Sequence, residues 1–318
     1  MGLGGVGLYS SSSSAVFVFD HYSFSHFKFN HLTSTVNHLA PKSFSAYTSS
    51  TKPLLTLTPK PRTAMTLPSA ALFSQNPVVS DVVATALSGS VALFFLQLWK
   101  ETATRGIFDQ TLNRKLVHIS IGITFMLCWP LFSPGSRGAW LAATIPGVNI
   151  IRMLVLGLGL WKDEATVKSM SRFGDYRELL KGPLYYVVAI TLACIIYWRT
   201  SPISIVAICN LCAGDGVADI VGRRFGSIKI PYNKNKSIAG SIAMVSASFL
   251  ASVGFMYYFS LFGYMERSWE MVLKFWIVAL ASALVESLPI STDLDDNLTV
   301  PATSILVGSL IFYFHQSL

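Results

Sequence analysis

The chain has 318 residues, 52% of them hydrophobic and 13% charged, with a formal net charge of +8. A soluble domain carries roughly 25% charged residues to face water, so this composition excludes an ordinary soluble domain and points to lipid. The body is only mildly basic and lacks the clustered cationic face that tracks phosphates, so nucleic acid is not expected as a partner.

Residues 1–65 are rich in Ser and Thr. Up to residue 80, Asp20 is the one acid, set against Lys28, Lys42, Lys52, Lys60 and Arg62. That is the composition of an organellar transit peptide. It has too little apolar surface to fold on its own, so a disordered segment is expected. Abundant Ser and modest Arg favour the chloroplast. The rest, 66–318, reads as one membrane domain.

From about residue 79 long apolar runs recur, each near the ~20 residues that cross a bilayer. Spans are expected at 79–99, 115–132, 138–160, 183–198, 202–219, 239–263, 273–290 and 300–316. They must be helical, because lipid offers the backbone no hydrogen-bond partners. The expected fold is therefore an all-α, polytopic transmembrane bundle of seven to nine spans. Loops 100–114, 161–182, 220–238 and 291–299 carry most of the Lys and Arg. Those at 133–137, 199–201 and 264–272 carry only Arg137, Arg199 and Arg267. Such one-sidedness is the positive-inside pattern, and it puts the hydrophilic chemistry on one membrane face. Cys209 and Cys212 spell CxxC inside an apolar run with no second pair and no nearby His, and are read as packing residues.

The chemistry-bearing stretch starts at Asn210 and reaches Ser241. Asp215 and Asp219 are four apart and share a helix face. Carboxylates at membrane depth are costly unless paired or metal-bound, so this pair is expected to hold Mg²⁺, which takes one or two carboxylates plus substrate phosphates. Gly214, Gly216, Gly222 and Gly226 allow close backbone approach. Arg223, Arg224, Lys229, Lys234 and Lys236 follow, and Ser237 to Ser241 open a helix whose N-terminal amides favour an anion. Together these are the parts that phosphoryl transfer requires.

Three further constellations stand out. Lys115 and His118 share a face, and His118 is placed to orient a phosphate or take a proton. Arg152, in an apolar span beside Asn149, needs a partner, which Asp215, Asp219 or a phosphate would supply, with a purely structural pair as the alternative. Glu286 and the run Asp293, Asp295, Asp296, Asn297 are acidic on a basic face. Asp295 and Asp296 are candidates for metal binding or base catalysis, and Asn297 for a helix cap. The mixed-sign loop 161–182 is read as a solvated face, with an interfacial helix or a lid as alternatives.

The segment from about 100 onward resembles the plant polyprenol kinases, the family of phytol and farnesol kinases. The resemblance rests on RGIFDQ, RKLVHI, MLCWPLFS, SMSRFGDYRELLKGPLYY, CNLCAGDGVADIVGRRFG, PYNKNKSIAGS and ESLPISTDLDDNLTVP. A more distant likeness is to dolichol kinases, whose nucleotide motif reads D-x-x-A-x-x-x-G-x-x-x-G. Asp215, Ala218, Gly222 and Gly226 fall at that spacing, followed by Lys236, Ser237 and Gly240. Those enzymes continue Lys-Lys-Thr-x-Glu-Gly, whereas this chain has Asn235-Lys236-Ser237-Ile-Ala239-Gly240.

The resemblance implies a CTP-dependent, Mg²⁺-assisted kinase in a chloroplast membrane. Its acceptor would be an isoprenoid alcohol such as farnesol, geranylgeraniol or phytol. Asp215, His118, Lys115, Asp295 and Asp296 are the expected catalytic residues, and Asp215, Asp219 and Asp296 the expected metal ligands. The nucleotide would meet Gly214, Gly216, Ala218, Gly222, Arg223, Arg224, Gly226, Lys234, Lys236, Ser237 and Gly240. The rival readings are a cytidylyltransferase of the CDP-diacylglycerol synthase type and a membrane transporter. The transporter predicts inverted repeats, which the sequence does not display.

Overall fold

The computed structural model describes residues 76–289 and 294–313, all within one compact unit, Arg62–Leu318. The expected transit peptide, 1–65, lies outside the described residues.

Apolar runs become helices where a polar residue at the start can cap the free N–H groups. Asn76 caps α1 (Pro77–Thr104), Asp109 caps α2 (Gln110–Leu127) and Ser201 caps α6 (Pro202–Cys209). Ser237 caps α8 (Ile238–Leu261) and Ser268 caps α9 (Trp269–Ser287). Between them lie α3 (Ser136–Gly157), α4 (Glu164–Met170), α5 (Gly182–Tyr197) and α7 (Asp215–Phe225). The last is α10 (Asp296–Tyr313). Its cap is Asp295, whose Oδ1 accepts the Asn297 N–H at 2.9 Å. The expected cap, Asn297, is instead buried in the first turn.

Each expected span meets a helix. Five stretches are long and apolar enough to cross a membrane: Pro77–Thr104, Ser136–Gly157, Tyr176–Tyr197, Pro202–Phe225 and Ile238–Leu261. Helices α2, α9 and α10 fall short of that measure; α2 and α9 include Arg114 and Lys115, and Glu270, Lys274 and Glu286.

The stretch Pro202–Phe225 is 72% buried, far more than any other candidate span, and forms the axis of the bundle. It is one helix interrupted by a π-turn, Asn210–Gly214, in which the Asp215 N–H reaches back to the Asn210 carbonyl. Such bulges concentrate at functional sites. Around this axis α6 packs on α8 and α10, and α7 on α8 and α2. An outer layer of α3 against α5 and α1 against α2 completes the bundle. Exposed Leu, Ile, Val and aromatic side chains cover its outside, a surface suited to lipid.

Two features depart from the expectation. The segment expected as a loop at 220–238 holds a further stretch of α7 and a short antiparallel hairpin, β1 (Lys229–Ile230) and β2 (Asn233–Ser237). Buried Asn233 anchors the hairpin by donating to the Ser287 and Leu288 carbonyls at 3.0 and 3.2 Å. The mixed-sign loop contains α4, which buries Thr166, Val167, Ser169 and Met170 and packs on α1 and α2. Arg152 finds its partners here, Asp163 Oδ2 at 3.3 Å and Thr166 Oγ1 at 2.8 Å. The expected partners, Asp215, Asp219 or a phosphate, are not used, because Asp163 lies one loop away. Burial works against the Asp163 charge, but Thr166 and Lys100 outweigh it and hold its carboxyl at about 2.

Candidate active site

Helix α2 presents its polar face to the bundle interior, burying Asn113, Lys115 and His118. Lys115 is 5% exposed and donates to Asp215 Oδ2 at 2.7 Å. The π-turn makes this meeting possible. It sets Asp215 at the head of α7, facing α2, and leaves the Leu211 carbonyl to accept from His118 Nε2 at 2.8 Å. A carbonyl only accepts, so Nε2 carries the hydrogen and Nδ1 alone is left to receive a proton. His118 Nε2 also lies 3.5 Å from Asp215 Oδ2. The Tyr186 hydroxyl donates to the His118 carbonyl at 2.6 Å and fixes the histidine's backbone.

The hairpin delivers the second lysine. Lys236 Nζ donates to Glu286 Oε1 at the end of α9 and to Asp296 Oδ2 at 3.0 Å at the start of α10. Burial disfavours its charge, yet Asp296 and Glu286 raise its pKa above the usual lysine range. Three carboxylates thus converge from separate helices. Oxygens of Asp215, Glu286 and Asp296 lie within 4.8 Å of one another.

These residues fit a hard divalent cation. All three donors are carboxylate oxygens, the set Mg²⁺ prefers. Asp296 Oδ2 pairs with Lys236, but its Oδ1 is buried and has no hydrogen-bond partner among the described residues, an expensive condition for a carboxylate oxygen.

The expected metal set was Asp215, Asp219 and Asp296. The structure brings the first and third together and puts Glu286 in the remaining place. Asp219 instead accepts from Arg223 at 2.9 Å, one turn further along the same face and nearer solvent. Asp295 borders the cluster. Its Oδ1 is taken by the Asn297 backbone and side-chain amides at 2.9 and 2.7 Å. Its Oδ2 carries no hydrogen bond among the described residues and faces Gly182, where an added Cβ would lie 3.4 Å away.

The expected nucleotide residues divide into packing and surface groups. A Cβ on Gly214 would meet Ser248 Oγ, and one on Gly216 would meet Ile119, so these glycines let α7 press against α8 and α2. A Cβ on Gly240 would lie 3.3 Å from Gly222 Cα and 3.1 Å from the buried Ala218 carbonyl. Ser237 Oγ, accepting from the Gly240 N–H at 3.2 Å, sits beside Gly222 and Gly226. Arg223, Arg224, Lys229 and Lys234 are exposed at the same end of the bundle. The CxxC thiols are free and buried, in keeping with packing.

An apolar cleft opens beside the cluster. Arg114, His118, Gly182 and Asn297 line its polar end, and Leu96, Val117, Ile121 and Val187 its walls. The Arg114 Nε and Asn297 Oδ1 atoms are buried without hydrogen-bond partners among the described residues. Glu286, Arg114 and Asn297 were visible in the sequence inside the singled-out constellations, but their convergence was not.

Comparison with known proteins agrees with this geometry. The chain is 72% identical over 240 residues to a probable chloroplastic phytol kinase 3 from Glycine max, covering 76% of this chain and 75% of the relative. It is 65% identical over 243 residues to the chloroplastic farnesol kinase of Arabidopsis thaliana, covering 76% and 79%. To the chloroplastic phytol kinase 1 of Arabidopsis thaliana it is 43% identical over 240 residues, covering 74% and 78%. No family model and no solved structure matches the chain. At such identity and coverage, the chain belongs to the chloroplastic farnesol and phytol kinase family.

Proposed function

We propose that the protein transfers the terminal phosphoryl group of CTP to the hydroxyl of an isoprenoid alcohol, farnesol first and geranylgeraniol or phytol next. One observation carries this reading: Asp215, Glu286 and Asp296, braced by Lys115 and Lys236, converge beside the polar end of an apolar cleft. A phosphate-handling centre and a place for a lipid hydroxyl therefore adjoin.

The three carboxylates would hold Mg²⁺. The chemistry supplied by the bound ion is neutralisation of the donor's phosphate oxygens. Lys115 holds Asp215, and Lys236 holds Glu286 and Asp296, in register. The exposed Arg223, Arg224, Lys229 and Lys234 draw the nucleotide to this end of the bundle by charge. The alcohol oxygen forms a bond to the terminal phosphorus while the bond to the nucleoside diphosphate breaks. The hydroxyl proton passes to Asp295 Oδ2, at the cleft mouth. His118 is held beside Asp215 by its Nε2–H bond to the Leu211 carbonyl, with Nδ1 left as a second acceptor for that proton. The choice of CTP rests on the dolichol-kinase-like spacing of Asp215, Ala218, Gly222 and Gly226.

All eight long helices cross the membrane in this reading. Helices α2, α9 and α10 look polar in sequence, but Lys115, His118, Glu286 and Asn297 are turned inward and buried. Leu273, Leu284, Leu306 and Leu310 face outward instead. Residues 1–65 would direct the chain to the chloroplast.

The test is label transfer in membranes that contain residues 66–318, with Mg²⁺ and terminally labelled CTP or ATP. Label on an alcohol, with CTP the better donor, is the expected result. Release of pyrophosphate with a CDP-lipid would replace the kinase with a cytidylyltransferase. Untouched nucleotide would end the catalytic reading.

A further inference from the structure

The cleft beside the cluster does not end at its polar mouth. A second cavity continues it, and the two share Ile121, Asn149, Tyr186 and Val187. The lining advances in step along four helices. On α1 it runs from Leu96 to Ser88, on α2 from His118 to Phe125, on α3 from Met153 to Ile145, and on α5 from Gly182 to Ile190. At about 1.5 Å per helical residue, each of these paths covers roughly 10–12 Å. The two cavities lie end to end as a slot parallel to the helices, polar at Arg114, His118 and Asn297 and mostly apolar beyond, with Asn149, Thr124 and Ser88 among the lining.

We infer that this slot is the seat of the isoprenoid tail, and that Ala92 midway along it and Phe125 at its far end set the tail length the enzyme accepts. The inference rests on the kinase reading above and assigns the part of that site which measures the substrate. Three observations carry it. First, the slot begins beside the groups that handle the hydroxyl: His118 lines its mouth and lies 3.5 Å from Asp215. Second, its direction follows the helices, so a tail entering from the mouth passes toward the bilayer centre, where hydrocarbon is favoured. Third, its far end is closed by large, buried side chains, Phe125 at 7% and Ile190 at 3% exposure. Ala92, with the smallest side chain of the second cavity, leaves space midway along the slot, and Ser88 stands at the far end on α1. Pro146, inside α3, lines the same end.

Apolar pockets discriminate by methylenes, each worth about tenfold or somewhat more in kcat/KM. Ala92→Phe narrows the slot midway and cuts off its far end. It is expected to lower kcat/KM for geranylgeraniol relative to farnesol by about tenfold while leaving the KM for nucleotide unchanged. Phe125→Ala lengthens the slot and shifts the ratio the other way. If both variants turn over alcohol with the wild-type ratio, the slot does not measure the tail. A farnesol analogue with a photoreactive diazirine at the far end of its tail tests the same point in unmodified protein. Crosslinks are expected on Ala92, Phe125 or Ile190. Crosslinks confined to outward-facing residues such as Leu93 and Phe94 would overturn the inference. Wild-type protein that phosphorylates no alcohol but crosslinks in the slot would sink the kinase reading and leave the slot as an alcohol-binding site.

Discussion

The two ends of the bundle both bury charge, but in different ways. At the end away from the cluster, Arg199 is 1% exposed and donates to the Trp129 and Phe132 carbonyls at 2.7 Å each. Its guanidinium lies 4.0 Å over the Tyr264 ring. Nearby, fully buried Asp81 accepts from the Ser133 backbone and hydroxyl, both at 2.6 Å. Each ion is answered chiefly by neutral dipoles from an adjoining loop and so ties loops to helices, although Arg199 Nη2 is also buried without a hydrogen-bond partner among the described residues. At the cluster end, carboxylates face each other across three helices, two lysines are wedged among them, and Asp296 Oδ1 is left without a partner among the described residues. Like charges crowded together cost energy that a fold recovers only through a cation or substrate. The difference separates a structural use of buried charge from a functional one.

Substitutions break this comparison most sharply at Asp215. Asp215→Asn removes the carboxylate that Lys115 and His118 surround. Turnover should fall by about 10³-fold, with thermal unfolding in detergent close to wild type; retained turnover would refute a catalytic cluster. Asp295→Asn should lower kcat by about 10²-fold and leave the KM for nucleotide in place, because its oxygen meets the hydroxyl and not the phosphates. At the opposite end the readout changes. Arg199→Met strands two buried carbonyls and should destabilise the protein by about 2 kcal/mol, seen as a lower melting temperature, while the molecules that remain folded keep the wild-type kcat. A drop in kcat without a drop in stability would move Arg199 into the catalytic machinery. Asp219→Asn should do least. It removes a half-exposed i,i+4 ion pair worth about 0.5 kcal/mol and should change the Mg²⁺ dependence of turnover less than Glu286→Gln does.

Much of this was legible in the sequence. Apolar runs located every long helix, because hydrophobic length is read directly from composition. Asp215, Lys115, Lys236 and Asp296 were also found, since ionisable groups among apolar residues have few bland explanations. The make-up of the carboxylate cluster was less legible. Asp219 shares a helix face with Asp215, and that spacing shows in any window of five residues. Glu286 joins Asp215 only through the packing of α8 and α9 against the central helix, which no local pattern records. For Arg152 the sequence leaves both a site partner and a purely structural pair open, and Asp163 in the next loop supplies the structural one. The hairpin escaped because its anchor, Asn233 on the α9 carbonyls, is tertiary.

The π-turn at Asn210–Gly214 carries one more consequence, for the angular phase of the helix beyond it. A residue in an α-helix accounts for about 100° of rotation, and the bulge holds one residue more than a regular turn. Deleting a single residue from it would leave the hydropathy of Pro202–Phe225 nearly unchanged, and the segment would still pass for the same span. Yet Asp215 would swing by about a quarter-turn away from Lys115, taking Asp219 and Arg223 with it. The central helix therefore tolerates exchange of one apolar residue for another far better than it tolerates a change in their number.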